Sequence, residues 1–326
     1  LISLVFFIPK VFAVTLSEAL TQAYKNNPEL NAERENIKVS EEDLNISKGD
    51  YLPTLTLSGS KSKEDTNKLT NQSGGDASVT DVDPLSTSIK IEQTLLDFGR
   101  NAEYDKNKIG IDLAKAQLLK KEQDIFYKAV EAYTGVILAN EKLKINQSNV
   151  NLLERQVETD TIRLERGQVT LADVAQSESS FAEAQAKFIQ AQNEVLTSKL
   201  NYENIIGPLS RPNSLVKNSN LNIVMPENLN LAIDLSKKYN PDLTIAQLEY
   251  KQSEKDTIIA KSDLSPTAKL SFERSYSEDL SSTYDEREKD ILKATVSWPF
   301  YSGGKNRATY KKNKNLQNRK RLLLDN

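Results

Sequence analysis

The side chains that could carry out covalent or acid–base chemistry are few. Glu273, Asp285, Glu286 and Glu288 gather near one polar loop, where paired carboxylates could share a proton, and Gly74-Gly75 is a short step of the kind that cradles phosphate. Neither set sits in the context its chemistry needs. The glycines lack a strand before them and a helix after them, and acidic residues in a hydrophilic loop are ordinarily a solvated surface. The chain holds no Cys and no His. That removes thiol nucleophiles, imidazole catalysis, serine triads and zinc sites with Cys or His ligands together. The residues point away from an enzyme, and no cofactor or metal is expected.

The elements that could position a non-catalytic function are easier to read. With 38% apolar and 27% charged side chains over 326 residues, the chain is long enough for one large or two ordinary folded domains. Only 11 Gly and 10 Pro are present, which favours long helices over a turn-rich all-β protein. The net charge is −3 with both signs interspersed, so no field suits nucleic acid. Residues 1–13, LISLVFFIPKVFA, read as a signal peptide ending in the cleavage-like Val11-Phe12-Ala13; a buried N-terminal strand is the alternative. No later run approaches the ~20 apolar residues of a membrane helix, so any membrane entry is by strands. The only Met is Met225 and the helix-like stretch from Asn306 to Asn326 has no capping signal, so both ends read as cut.

An internal repeat organises the chain. Leu16-Ser17-Glu18-Ala19-Leu20, Asn27-Pro28-Glu29-Leu30 and Leu52-Pro53-Thr54-Leu55 recur as Leu231-Ala232-Ile233-Asp234-Leu235, Asn240-Pro241-Asp242-Leu243 and Ser265-Pro266-Thr267-Ala268. Each copy opens with a short amphipathic helix, and the Asn-Pro step then caps and starts a second helix. Period-two segments follow. Leu55, Leu57, Ile89 and Ile91 alternate with Ser, Thr, Lys and Glu in the first copy, and Leu270, Phe272, Val296 and Trp298 do so in the second. The polar stretches 62–84 and 277–288 read as solvent loops. Four strands with one apolar and one charged face are satisfied in two ways: by closing with other copies around water, or by packing one-sidedly on helices. Tyr276 and Trp298 would suit a bilayer interface.

From Arg100 to Pro208 the chain has no proline, and Gly167 splits a helical hairpin. The first arm, to about Arg166, is on the order of 100 Å long at 1.5 Å per residue. Ala129, Val136, Leu143, Val150, Val157 and Leu164 recur every seven residues along it, the spacing of a coiled coil. In the second arm, about Leu171 to Ile206, Ala172, Ala175, Ala182, Ala184, Ala186 and Ala191 suggest close helix approach. The helix from Pro28 to about Gly49 has the length to stack end to end with this shorter arm.

These residues, in this order, together with Tyr51-Leu52-Pro53, Gln93-Thr94-Leu95-Leu96-Asp97-Phe98-Gly99-Arg100 and Arg166-Gly167-Gln168-Val169-Thr170-Leu171-Ala172-Asp173-Val174, resemble the TolC-like outer-membrane efflux protein family. The resemblance implies a mixed α and β membrane protein of two structural repeats. A long α-helical coiled-coil tunnel would join an oligomeric transmembrane β-barrel, with four strands per subunit and twelve in a trimer. It implies a passive exit duct in a tripartite efflux or type I secretion system, in the outer membrane and extending into the periplasm. Its partners would be a periplasmic adaptor, an inner-membrane pump, outer-membrane lipid and two further copies of itself. Gly167, Thr170 and Asp173 match the family's periplasmic tip and its adaptor contact. There glycine allows the reversal, Thr170 can cap the second arm, and Asp173 could add to an acidic ring that selects cations.

The expected division is a signal peptide at 1–13 and a first repeat at 14–210, with its β-hairpin at 53–98 and helical hairpin at 100–207. A linker at 211–230 then leads to an incomplete second repeat at 231–326, with a β-hairpin at 266–302 and the start of a long helix. The family's second helical hairpin is missing, so the chain as given is not expected to close a tunnel alone. A non-catalytic periplasmic coiled-coil scaffold or an adaptor protein is the competing reading.

Overall fold

A computed structural model describes residues 14–69, 78–209, 215–217, 225–281 and 284–325. The expected leader at 1–13 and much of the expected linker lie outside them. The described chain forms two compact units that cut across the two sequence repeats. One takes residues up to Glu35 together with Gln117–Tyr239, and the other Asn36–Ala116 together with Asn240–Asn326.

The first unit is helical. Its helix α1 (Leu16–Asn26) begins in a capping box: Thr15 Oγ1 accepts from Glu18 N at 3.3 Å, and Glu18 Oε2 accepts from Thr15 N at 2.8 Å. Leu16, Ala19 and Ala23, at helical spacing, bury the same face. That face packs with Ile125, Ala129, Ala132, Tyr133 and Val136 of α3 (Arg100–Glu165) and with Tyr202 of α4 (Leu171–Ile205) and Ile206 just beyond it. Asn27 ends α1 and starts α2 (Pro28–Gly49): its Oδ1 accepts from Leu30 N at 3.2 Å. Its Nδ2 donates to Ile205 O at 2.9 Å, so one buried side chain joins the end of α4 to the start of α2. The heptad positions of α3 hold. Ala129 and Val136 are buried, and Leu143, Val150, Val157 and Leu164 are half-buried among exposed neighbours.

The alanine stripe expected on α4 is corrected by the structure. Only Ala184 and Ala191 of it are buried; Ala172, Ala175, Ala182 and Ala186 are exposed. The packed spine runs through Val174, Ser177, Phe181, Ala184, Phe188, Ala191, Val195, Ser198 and Tyr202, in alternating steps of three and four. A helix lying along one partner buries a seam of period 3.5, so position in that seam decides burial and residue size does not. The same unit carries α5 (Leu229–Tyr239), which has no buried residue.

The second unit joins strands to helices. Strands β1 (Thr54–Lys61), β4 (Leu85–Leu96), β5 (Thr267–Ser281) and β6 (Tyr284–Ser297) form one antiparallel sheet in that order. Between β1 and β4, β2 (Glu64–Leu69) pairs with β3 (Ser78–Val82) as a separate ladder. The stretch 62–84 is therefore not a plain solvent loop, and neither is 277–288: only residues 282 and 283 lie between β5 and β6. Backbone pairing needs no apolar period, so these hydrophilic segments extend the hairpins unannounced.

Beneath the sheet lie the end of α2, the start of α3, α6 (Pro241–Ser262) and α7 (Lys305–Leu324). Asn107 of α3 donates to Asp43 O and to Ser47 Oγ of α2. Lys106 and Asp105 of α3 meet Asp256 and Lys255 of α6, each at 2.8 Å. Thr257 of α6 bonds Gln317 of α7 at 3.2 Å, and Asn306 Nδ2 donates to Asp263 O at 2.8 Å. The helices thus follow the order of the strands they adjoin. At the junction, a Cβ added to Gly99 would run into the Ser262 hydroxyl. Gly99→Ala should lower the melting temperature, and Gly99→Ala/Ser262→Gly should regain part of the loss; equal melting of both variants would show that the close approach does not constrain the fold.

Candidate functional site

The register of the large sheet sorts its side chains into two faces. Leu55 pairs with Ile91, Ile91 with Phe272 and Phe272 with Leu292, so one apolar row crosses all four strands. The next row joins Leu57, Ile89, Arg274 and Asp290, and on the other side Leu270 faces Ala294 and Ala268 faces Val296. The candidate residues Leu55, Leu57, Ile89, Ile91, Leu270, Phe272 and Val296 therefore share one side, because side chains alternate along each strand. Leu292 completes their central row; the sequence signal for it was its place in the alternation of β6. None is covered: Leu57 is 81% exposed, and Leu292 and Val296 are each 72% exposed.

The opposite face is hydroxylic and charged. Its rows are Thr54, Glu92, Ser271 and Lys293; Thr56, Lys90, Glu273 and Ile291; and Ser58, Ser88, Ser275 and Lys289. Glu92 sits between two ammonium groups, Lys90 at 2.7 Å and Lys269 at 2.9 Å. Ser86 and Ser277 share a hydrogen bond of 3.0 Å. The four acidic residues considered for acid–base work are separated: Glu273 and Asp285 lie on this face, whereas Glu286 and Glu288 lie on the apolar one, where Glu288 meets Arg274 at 3.3 Å. Carboxylates on opposite sides of a sheet cannot share a proton, so the four do not act as one cluster.

Trp298 follows β6 in phase with Val296. Its indole N–H donates to Leu264 O at 3.1 Å, and its ring meets Phe300 edge-on with centroids 5.8 Å apart. Tyr276 lies at the far end of the same side, beside Glu288 in the register. Both outer edges of the sheet, on β1 and on β6, have no hydrogen-bonded neighbour strand among the described residues.

Gly167, Thr170 and Asp173 come together in the turn between α3 and α4. Gly167 has φ of 69°, and its N–H reaches Leu164 O at 2.9 Å while Gln168 N reaches Arg163 O at 2.8 Å. That bond pair is a Schellman closure, which needs a left-handed residue at this position. Thr170 caps α4 in a reciprocal box: Asp173 N donates to Thr170 Oγ1 at 3.3 Å, and the Thr170 N–H and hydroxyl both donate to Asp173 Oδ2 at 2.7 Å. The three residues thus build the turn, and they are exposed. Beside them Leu171 is 72% exposed, a large apolar side chain at the tip whose place at the start of α4 does not by itself mark it as functional.

Gly167→Ala is expected to cost about 1 kcal/mol, since alanine must adopt the left-handed conformation; an unchanged melting curve would contradict this. The N–H and hydroxyl of Thr170 hold the Asp173 carboxyl below the usual carboxylate range. A depressed folded value adds stability above the unfolded value of about 3.9, and this is lost as pH falls through the folded one. The protection of the amides at 168–174, taken as exchange relative to the intrinsic rate at each pH, should therefore fall on acidification below about pH 4, and Asp173→Asn should flatten that dependence.

A two-faced sheet with open edges, continued by a row of helices and joined to a long helical hairpin, is the architecture of outer-membrane channel subunits. The chain belongs to the outer membrane efflux protein family, whose model matches residues 19–208. It is 26% identical over 314 residues to the outer membrane efflux protein BepC of Brucella suis, covering 95% of this chain and 66% of that protein. It is 23% identical over 305 residues to the alkaline protease secretion protein AprF of Pseudomonas aeruginosa, covering 90% of this chain and 62% of that one. The chain thus spans a little under two thirds of the length of these relatives. Among solved structures, it resembles the CmeC outer membrane channel of Campylobacter jejuni, with a TM-score of 0.74 at 14% identity, covering 95% of this chain and 66% of that one. It also resembles the outer membrane protein VceC of Vibrio cholerae, with a TM-score of 0.68 at 15% identity, covering 95% and 74%. The family places the protein at the bacterial outer membrane.

Proposed function

We propose that this chain is the channel subunit of a tripartite efflux or type I secretion system, a passive duct for substrates delivered by an inner-membrane pump. The observation that carries the reading is the sheet with one uncovered apolar face, one charged face and two unpaired edges. An isolated sheet of this kind is unstable in water and prone to edge pairing, whereas a barrel closed by neighbouring copies removes both problems. Three copies of four strands make a twelve-stranded barrel, with Lys90, Glu92, Lys269, Glu273 and Lys293 toward an aqueous lumen. Leu55, Leu57, Ile89, Ile91, Leu270, Phe272, Val296 and Trp298 then meet lipid.

The spacing of the aromatics supports this orientation. Ala268 pairs with Val296, two residues before Trp298, and Tyr276 lies eight residues further along β5. Ten residues at about 3.4 Å each span roughly 34 Å, or roughly 26 Å along the barrel axis at a strand tilt of about 40°, close to the ~25 Å apolar band between aromatic girdles. The helical hairpin then lies in the periplasm, and its turn at Gly167, Thr170 and Asp173, with Leu171, meets an adaptor protein. The two halves of the chain are duplicated copies of one helix, helix, hairpin and helix plan, with the signal peptide, the repeats and the linker divided as the sequence suggests. A relative named for alkaline protease secretion makes protein export one option for the cargo.

The test is extraction and sizing of the full-length protein in detergent, followed by reconstitution into planar bilayers. An SDS-resistant trimer that dissociates on heating and conducts ions is expected. A freely soluble periplasmic monomer would refute the channel.

A further inference from the structure

Helix α7 carries eight basic and no acidic side chains over Lys305–Leu324. The rest of its helix row mixes both signs, so this cationic surface sets α7 apart and suits a neighbour of opposite charge. Of the eight, Lys320 meets Glu249 of α6 at 3.8 Å. Lys305, Lys312 and Arg319 recur every seven residues on an exposed flank, next to the exposed Leu316 and Leu323 with the same spacing. A stripe of apolar residues bordered by one charge sign is the flank of a helix that packs beside another helix of opposite charge.

The complementary stripe lies on α2, at the other end of the row. Val39 and Ile46 are exposed and seven residues apart, and Glu42, also exposed, stands between them. Glu42 Oε2 accepts a local bond from Asn45 Nδ2, at 3.2 Å. Asp43 follows it, its backbone carbonyl facing Asn107.

Contacts within the row set the levels of the two stripes. Asn107 touches Asp43 and Ser47, Lys106 touches Asp256, Asp105 touches Lys255, Thr257 touches Gln317, and Glu249 touches Lys320. Carried across the row, these pairs bring Ile46 level with Leu316, Val39 level with Leu323, and Glu42 and Asp43 level with Arg319. The two helices adjoin the two free sheet edges: α2 leads into β1, and α7 follows β6.

We propose that α2 of one copy packs against α7 of the next, with Glu42 facing Arg319 and the Val39/Ile46 and Leu316/Leu323 stripes beside them. The proposal rests on the channel reading, because pairing of β1 with β6 between copies is what brings these two helices together. It adds a seam of opposite charge beneath the barrel that sets the order and the level of the subunits. Charge complementarity favours the correct neighbour and penalises a slipped one, since a shift of one helical turn puts Arg319 near Lys38 or leaves Glu42 opposite an apolar side chain.

The chain has no native cysteine, so the test is clean. In the full-length protein, Glu42→Cys/Arg319→Cys under mild oxidation should convert most of the trimer into covalent dimers and trimers on denaturing gels. Glu42→Cys/Arg307→Cys, twelve residues off level, should give only background. Glu42→Arg and Arg319→Glu should each lower the temperature at which the trimer dissociates in SDS, and Glu42→Arg/Arg319→Glu should regain at least half of that loss. A stable trimer that neither cross-links above the off-level control nor recovers in the double reversal overturns the seam and leaves the channel standing. A protein that is monomeric in detergent overturns both.

Discussion

Tyr133→Ala should lower the unfolding free energy of the helical unit by about 3–5 kcal/mol, the range for removing a large aromatic from a packed core. Tyr133 is among the most buried side chains of the cluster formed by α1, α3 and the end of α4. Its hydroxyl donates toward Val14 O at 2.9 Å and Val216 O at 2.7 Å, and Val14 and Leu215 form a parallel bridge at the same place. One hydroxyl proton is therefore shared between two carbonyls that belong to segments far apart in the chain. Tyr133→Phe keeps the ring and strands both acceptors, so it should cost about 1–3 kcal/mol. Burial pushes the Tyr133 phenol up, above its ordinary range. A raised folded value means the stabilisation is complete below the unfolded value of about 10 and is lost as pH rises through the folded one. The alkaline loss should be smaller in Tyr133→Phe, with Tyr202, whose phenol is also raised by burial, among the groups that contribute the remainder. Denaturant melts of both variants between pH 7 and 11 check this. Wild-type stability in Tyr133→Phe would mean the hydroxyl does not hold the two segments.

The helices were legible because their burial follows a period the sequence also carries. Ala129, Val136 and Leu143 predict their own seam on α3, and Asn27 and Asn240 predict their caps: Asn240 Oδ1 accepts from Asp242 N at 2.9 Å. The second bond of Asn27, to Ile205 O, was not legible, since it joins residues far apart in sequence. Alanine content does not mark the α4 seam, because position along the helix decides burial there, and Ser177 and Ser198 hold seam positions that no hydrophobicity scale marks. In the sheet, period two gave the faces but not the neighbours. That β4 lies against β5 follows only from long-range pairing, and this pairing turns two local hairpins into one apolar row. The division into two compact units was hidden for the same reason, because α2 and α3 each contribute residues to both units while the repeat signal follows the chain.

Phe272→Arg should abolish accumulation of the trimer in the outer membrane. Phe272 is the third member of the row Leu55, Ile91, Phe272 and Leu292, about midway between Tyr276 and the start of β5. On the proposed lipid side this is near the centre of the apolar band, where an arginine costs about 2–4 kcal/mol in each subunit, and a trimer carries that cost three times. Ser271→Arg places the same charge one residue away on the opposite face, beside Glu92 and Lys293 in the register. There it would meet water and a carboxylate, so the trimer should form at near wild-type levels while ion selectivity shifts toward anions. The contrast between neighbours separates the lipid reading from a sheet that is wet on both sides, for which the two substitutions would be equally harmless. It also separates it from a sheet whose apolar face is covered by protein, where Phe272→Arg would yield misfolded chain in every fraction and no soluble, folded species. Heat-modifiability of membrane extracts from the two variants, with conductance of the Ser271→Arg trimer, distinguishes the three cases.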